Sequence, residues 1–140
     1  DTKHHCSYCD KRPIGVETID HFKPKSKPEF YLNSYDWENL FVACYDCQVS
    51  RWEDYSELLL KPDEIEYEFE TYFYYDDYSG ELFPKGEENS VEYKRADYTI
   101  KAFKLNEHGL PEARKLFSDN RSTFEDYNIE ILPFRFIFTQ

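Results

Sequence analysis

The four cysteines constrain this chain most. They stand as Cys6-Ser-Tyr-Cys9 and Cys44-Tyr-Asp-Cys47, two C-x2-C pairs with 34 residues between them. A C-x2-C turn points both sulfurs at one centre, and two such turns complete a tetrahedral zinc site. The competing reading is two disulfides, which suit an exported protein. No signal peptide stands at the start of the chain, and no apolar run is long enough to span a membrane. Zinc is therefore the expectation. Four thiolates leave no open position for water, so such a zinc is structural and its binding energy is folding energy. Any chemistry must come from what the zinc holds in place. The chain begins at Asp1 without a methionine, which suggests a preceding segment.

The stretch between the cysteine pairs carries that chemistry. Pro13 and Gly15 mark a turn, and Val16 to Ile19 is short, β-branched and alternating, as in a strand. It ends on Asp20-His21. The Pro-Lys-Ser-Lys-Pro run that follows predicts a loop. Asp36-Trp37-Glu38-Asn39 predicts an N-capped helical turn. Leu40 to Ala43 is apolar and leads into the second cysteine pair. A helix is expected from Gln48 to about Leu59. Trp37 and Trp52 are expected to pack around the zinc module. His4 and His5 are not needed as zinc ligands, and His108 carries no assigned chemistry.

Residues 4–54, with C-x2-C, then Asp-His, then Asn, then C-x2-C in that order, resemble the HNH endonucleases of the ββα-metal fold. The "IDHF", "W-NL" and "C-DC" segments look like the HNH component of Septu-type and retron-associated anti-phage systems (PtuB-like proteins). The later "TIKAFKLNEHGLPEARK" is similar to the same subgroup, less specifically. The expected fold is α+β: a ββα-metal HNH core over residues 1–58, stapled by Cys6, Cys9, Cys44 and Cys47, then an acidic mixed α/β extension over 59–140.

Hydrolysis of a phosphodiester needs an activated water, charge neutralisation at the phosphate and help for the leaving oxygen. Histidine titrates near neutrality and can serve as the base. A carboxylate and a neutral oxygen ligand can hold a hard cation such as Mg²⁺ or Mn²⁺ with positions left open. The resemblance implies that His21 is the general base, Asp20 the metal ligand, and Asn39 the residue that orients the base and its loop. Gln48 departs from the pattern, because the family usually places Asn or His here. Its carbonyl oxygen suits a hard cation, but the extra methylene changes its reach. Gln48 therefore either ligates, directly or through water, or marks a weakened site. Arg51, one helical turn on, is expected either to clamp a phosphate from the same cleft or to pair with Glu53 or Asp54. Lys23 and Lys25 either follow a nucleic-acid backbone or belong to a solvated loop.

Charge complicates a nuclease. The net charge is −12. Residues 1–56 carry 7 Lys/Arg and 10 Asp/Glu, and residues 57–140 carry 10 and 19. The acidity thus belongs mainly to the second half, which suits docking on a protein better than a nucleic-acid groove. There, Ile65, Tyr67 and Phe69 alternate with glutamates over 61–84, a strand pattern with an acidic outer face. Ser79-Gly80 offers a hairpin turn. Ala96 to Leu105 has helical spacing, and Pro111 opens a second helix through Phe117. The terminal "IEILPFRFIFTQ" is read as an extended apolar segment that pairs into the sheet or docks on a partner. The resemblance supplies a partner, a PtuA-like ABC-type ATPase. In retron versions a reverse transcriptase and its RNA–DNA product join it. It also implies a prokaryotic anti-phage effector acting on DNA by default, with RNA, including transfer RNA, as the other substrate; the lack of a signal peptide and of a membrane-spanning run favours a cytoplasmic setting. The alternative is a catalytically weak or inactive zinc-ribbon adaptor that only binds protein.

Overall fold

The computed structural model describes residues 3–139. The fold is α+β, as expected. Strand β1 (Glu17–His21) and strand β2 (Leu40–Cys44) form an antiparallel pair, with Asp20 opposite Phe41 and His21 opposite Leu40. Helix α1 (Tyr45–Arg51) follows directly and packs on both strands. These three elements make the ββα unit. The strand is longer than its β-branched run predicts, because Asp20 and His21 themselves join the ladder.

Two expectations in this unit are corrected. Helix α1 begins at Tyr45, before Gln48, and ends at Arg51. Trp52 takes φ 53° and ψ −113°, which no helix can continue. Residues 24–27 are loop, as expected, and Pro28 then opens a 3₁₀ helix over Pro28–Tyr35, where no element was expected. A single 3₁₀ turn at Trp37–Asn39 occupies the predicted helical turn, although Asp36 makes no side-chain cap. Trp37 and Trp52 do not pack around the cysteines; they are 85% and 69% exposed.

The second half continues with a short helix α2 (Phe69–Tyr72) and a hairpin of β3 (Phe73–Tyr75) and β4 (Leu82–Pro84). The predicted hairpin is present, and Gly80 at φ 79° closes its loop. The predicted strand over Ile65–Phe69 is not. Ile65 is almost fully exposed and the segment has no partner strand. Helix α3 (Val91–Phe103) is capped by Ser90, whose side chain accepts from the Tyr93 N–H at 3.1 Å. It buries Ala96, Ile100 and Phe103 at helical spacing. Helix α4 (Leu110–Asp119) buries Arg114, which donates to the Leu105 carbonyl at 2.6 Å and to the Gly80 carbonyl at 3.2 Å.

A methyl at Gly80 would collide with the backbone of Pro111, so α4 and the hairpin can meet only through a glycine. Gly80→Ala is expected to cost about 3 kcal/mol, the upper end for ordinary substitutions. A urea midpoint shifted by that amount, with an unchanged slope, checks it.

The terminal segment neither pairs into a sheet nor stands free. It folds into two 3₁₀ turns, Ile129–Ile131 and Arg135–Phe138, against the first cysteine pair. Phe134 N–H donates to the Asp10 carbonyl at 2.9 Å. The Arg135 guanidinium grips the Asp10 carboxylate at 2.6 Å. His5, fully buried, bonds through Nε2 to the Leu132 carbonyl at 2.7 Å. Phe136 stacks on Phe69 at 4.1 Å. One buried core therefore runs from Cys6 to Ile137. Among the described residues no helix is long and apolar enough to cross a membrane.

Candidate nuclease site

The four cysteine sulfurs converge from both turns, all within 4.8 Å of one another and all buried. Cys9 Sγ and Cys44 Sγ lie 3.8 Å apart. Four Zn–S bonds of about 2.3 Å give a tetrahedron with edges of roughly 3.8 Å. All four cysteines are free thiols, so the disulfide reading does not describe them. The Cys44 N–H points at Cys6 Sγ at 3.3 Å, a hydrogen bond that favours a thiolate there. Donor type, number and spacing all suit zinc.

Asp20 departs from ordinary strand patterning. Its neighbour Ile19 is 56% exposed while Asp20 is 4% exposed, so the strand turns its acid inward and its hydrocarbon outward. Two donors meet that acid. Tyr8 O–H, from the first cysteine turn, donates to Oδ2 at 2.6 Å. The Arg51 guanidinium, from the last residue of α1, donates to the same Oδ2 at 2.5 Å. Oδ1 has no hydrogen-bond partner among the described residues and stays available for a cation. Burial, then the Asp20 charge, push the Tyr8 phenol well above the ordinary tyrosine range, so it remains a donor. Tyr8 is fixed in turn by stacking on Phe103 of α3 at 4.1 Å.

His21 Nε2 lies 3.3 Å from the Ser34 carbonyl. A carbonyl only accepts, so this contact assigns the proton to Nε2 and leaves the lone pair on Nδ1. Asn39 is buried and spans the loop that follows His21. Its Oδ1 accepts from Lys23 N–H at 2.7 Å, and its Nδ2 donates to the carbonyls of Lys23 and Asn33, each at 3.1 Å. It thus ties down the loop that carries Ser34. Gln48 shares one cleft with Asp20, His21 and Lys25.

Two cations stand elsewhere than expected. Arg51 is 1% exposed, and besides Asp20 it donates to the carbonyls of His21, Phe22 and Asp54. It is an internal staple, not a phosphate clamp facing the cleft, and its ion pair is with neither Glu53 nor the Asp54 carboxylate. The physical reason is that a buried carboxylate needs a buried counter-charge. Lys23 lies over the Phe30 ring, 5.7 Å from its centroid, and lines a different groove from His21. Tyr8 was not singled out by sequence, since nothing in Cys-Ser-Tyr-Cys marks a contact with a residue twelve positions on. Tyr45 and Trp52, which line the cleft beside Gln48, read only as hydrophobes.

Residues 6–50 match the family model of the HNH endonucleases. The match begins at the first zinc-type cysteine and ends within α1, so it coincides with the ββα unit and its staple. It contains Asp20, His21 and Gln48 of the cleft, and Asn39, which ties down the loop after His21 from outside it. No curated protein matches the chain. The HNH segment implies nuclease activity, and HNH nucleases use divalent metals.

Proposed function

We propose that the chain is a metal-dependent HNH endonuclease that hydrolyses phosphodiester bonds, with DNA as the default substrate and RNA, including transfer RNA, as the other. One observation carries the proposal: His21 and Asp20 share a cleft, each with one side-chain atom committed to the fold and the other left for chemistry. A hard divalent cation, Mg²⁺ or Mn²⁺, held by Asp20 Oδ1 and the Gln48 carbonyl oxygen, would neutralise the phosphate and the departing oxygen. His21 Nδ1 takes a proton from water as its oxygen bonds to phosphorus. The P–O3′ bond breaks in line, and the product carries a 5′-phosphate. Ser34 holds the imidazole so that Nε2 keeps its proton, and Asn39 keeps the Ser34 loop in place. Lys25, at the cleft edge, meets a phosphate oxygen.

His21→Ala is expected to lower cleavage about 10²–10⁴-fold, the usual contribution of a positioned base. The test is cleavage of DNA and RNA with Mg²⁺ or Mn²⁺, wild type against His21→Ala, with zinc content measured for both. No cleavage by a folded, zinc-loaded wild type under any condition would leave the adaptor reading, with Gln48 as the reason. The Septu-like resemblance and the acidic second half support a further element of the proposal. The nuclease works as an anti-phage effector docked on an ABC-type ATPase through that acidic surface, with a retron reverse transcriptase in some assemblies. The terminal segment is packed on Asp10 and His5, so the proposal assigns the docking to the acidic surface. Running the assay with and without the ATPase tests this: cleavage unchanged by the partner counts against the complex.

A further inference from the structure

Helix α1 is turned against its own pattern. Its buried positions are Cys47 and Arg51, whereas Tyr45, Val49 and Trp52 fall one turn apart on the outer side. Those three are 64%, 44% and 69% exposed, and all three line the cleft that holds Asp20, His21 and Gln48. An apolar stripe at i, i+4, i+7 normally faces the core. Here a charged residue is inside and the aromatics flank the catalytic groups.

The second observation is independent. Trp52 has φ 53° and ψ −113°. For a bulky residue this backbone region costs about 1–3 kcal/mol, and such outliers persist at sites where the side chain is needed in place. Glycine would end the helix there without strain.

We infer that Tyr45 and Trp52 form a stacking platform for unpaired bases, so that the site takes single-stranded nucleic acid in preference to duplex. The inference rests on the nuclease proposal and names its substrate class. Aromatic faces bind bases that are out of a helix, and that binding does not depend on sequence. In a duplex the base faces are already stacked, and binding must come from cations on phosphates. This cleft is poor in cations. Lys25 lines it beside the acidic Asp20 and Glu53, on a chain of net charge −12. A strand held by its bases can bring one phosphate to His21 without a basic track.

The test uses the two tryptophans of the chain. In a Trp37→Phe, His21→Ala protein, Trp52 is the single tryptophan and the substrate persists. Its fluorescence is titrated with single-stranded DNA, single-stranded RNA and the duplex of the same sequence. Quenching by single strands at about tenfold lower concentration than by duplex is expected, and the DNA and RNA arms identify the preferred sugar. In the His21 protein, Trp52→Ala is expected to raise KM on single strands about tenfold while kcat stays within about twofold, and Trp52→Phe to restore it. Trp52→Gly should behave like Trp52→Ala without lowering the melting temperature, which separates lost stacking from lost folding. Equal quenching by duplex, or an unchanged KM in Trp52→Ala, overturns the inference while leaving a His21-dependent nuclease standing. Single-strand quenching without any cleavage upholds the platform and removes the nuclease reading instead.

Discussion

Arg51→Ala is expected to destabilise the protein by about 3–5 kcal/mol, the usual result of breaking a buried ion pair from one side. The guanidinium is almost fully buried and satisfies Asp20 and three backbone carbonyls, those of His21 at the end of β1, of Phe22 just after it, and of Asp54 in the turn beyond α1. It also lies between the rings of Phe22 and Phe103, 5.8 and 5.7 Å from their centroids. Its loss would leave the Asp20 carboxylate buried with Tyr8 as its remaining donor. Chemical unfolding gives the stability, and a double substitution sharpens the attribution. Asp20→Ala with Arg51→Met should cost markedly less than the sum of the single changes, because no charge is then left alone. The opposite role, a phosphate clamp, makes a different prediction: unaltered stability and a raised KM in Arg51→Ala. The magnitude thus decides whether this arginine serves the fold or the substrate. On the fold reading, cleavage also falls, through a misplaced Asp20 and not through lost substrate contact.

How far the sequence could be read depended on whether each signal was local. The cysteine pairs, Asp20-His21 and Asn39 were legible because their residue types and spacing state a chemistry before any packing occurs. The Ala96, Ile100, Phe103 spacing announced α3 for the same reason, while its cap, Ser90, was not read from the sequence. Arg51 was misplaced because helical spacing places it near Gln48 but does not say which side of a short helix is buried. That choice was made by Asp20, thirty-one residues earlier. The end of α1 was illegible since Trp52 is not a helix-stopping residue, yet it takes a positive φ there. Ile65, Tyr67 and Phe69 alternate like a strand, but alternation supplies only a face. Without a neighbouring strand the backbone groups have no ladder, and the segment stays in turns. The tryptophans were expected inside because hydrophobes usually are. For Trp52 the exposure follows from a helix that gives its inner side to the zinc cysteine and the arginine; Trp37 opens a 3₁₀ turn whose buried residue is Asn39.

Removal of zinc is expected to unfold both halves together. Structural zinc in small cysteine sites supplies about 10–16 kcal/mol of apparent binding free energy, as much as an ordinary domain's whole stability. Cys6, Cys9, Cys44 and Cys47 belong to the same buried core as Phe103, Phe134 and Ile137. The first cysteine turn also anchors the distant end of the chain, through Asp10 to Arg135 and His5 to Leu132. Loss of that turn therefore releases the terminal segment and uncovers one side of α4. Without zinc the four sulfurs either remain thiolates with uncompensated buried charge or take up protons and lose the bonds that hold the two turns together. Two arrangements can be told apart by heating the protein with a strong chelator, or by heating Cys47→Ser. If residues 59–140 formed a separate domain, a second transition would survive at its original temperature. With one continuous core, a single transition falls by tens of degrees or is lost, and Phe134 and Ile137 become accessible to proteolysis at once. The single transition is the expected outcome, because the contacts that close the core join the two ends of the chain and not neighbouring segments.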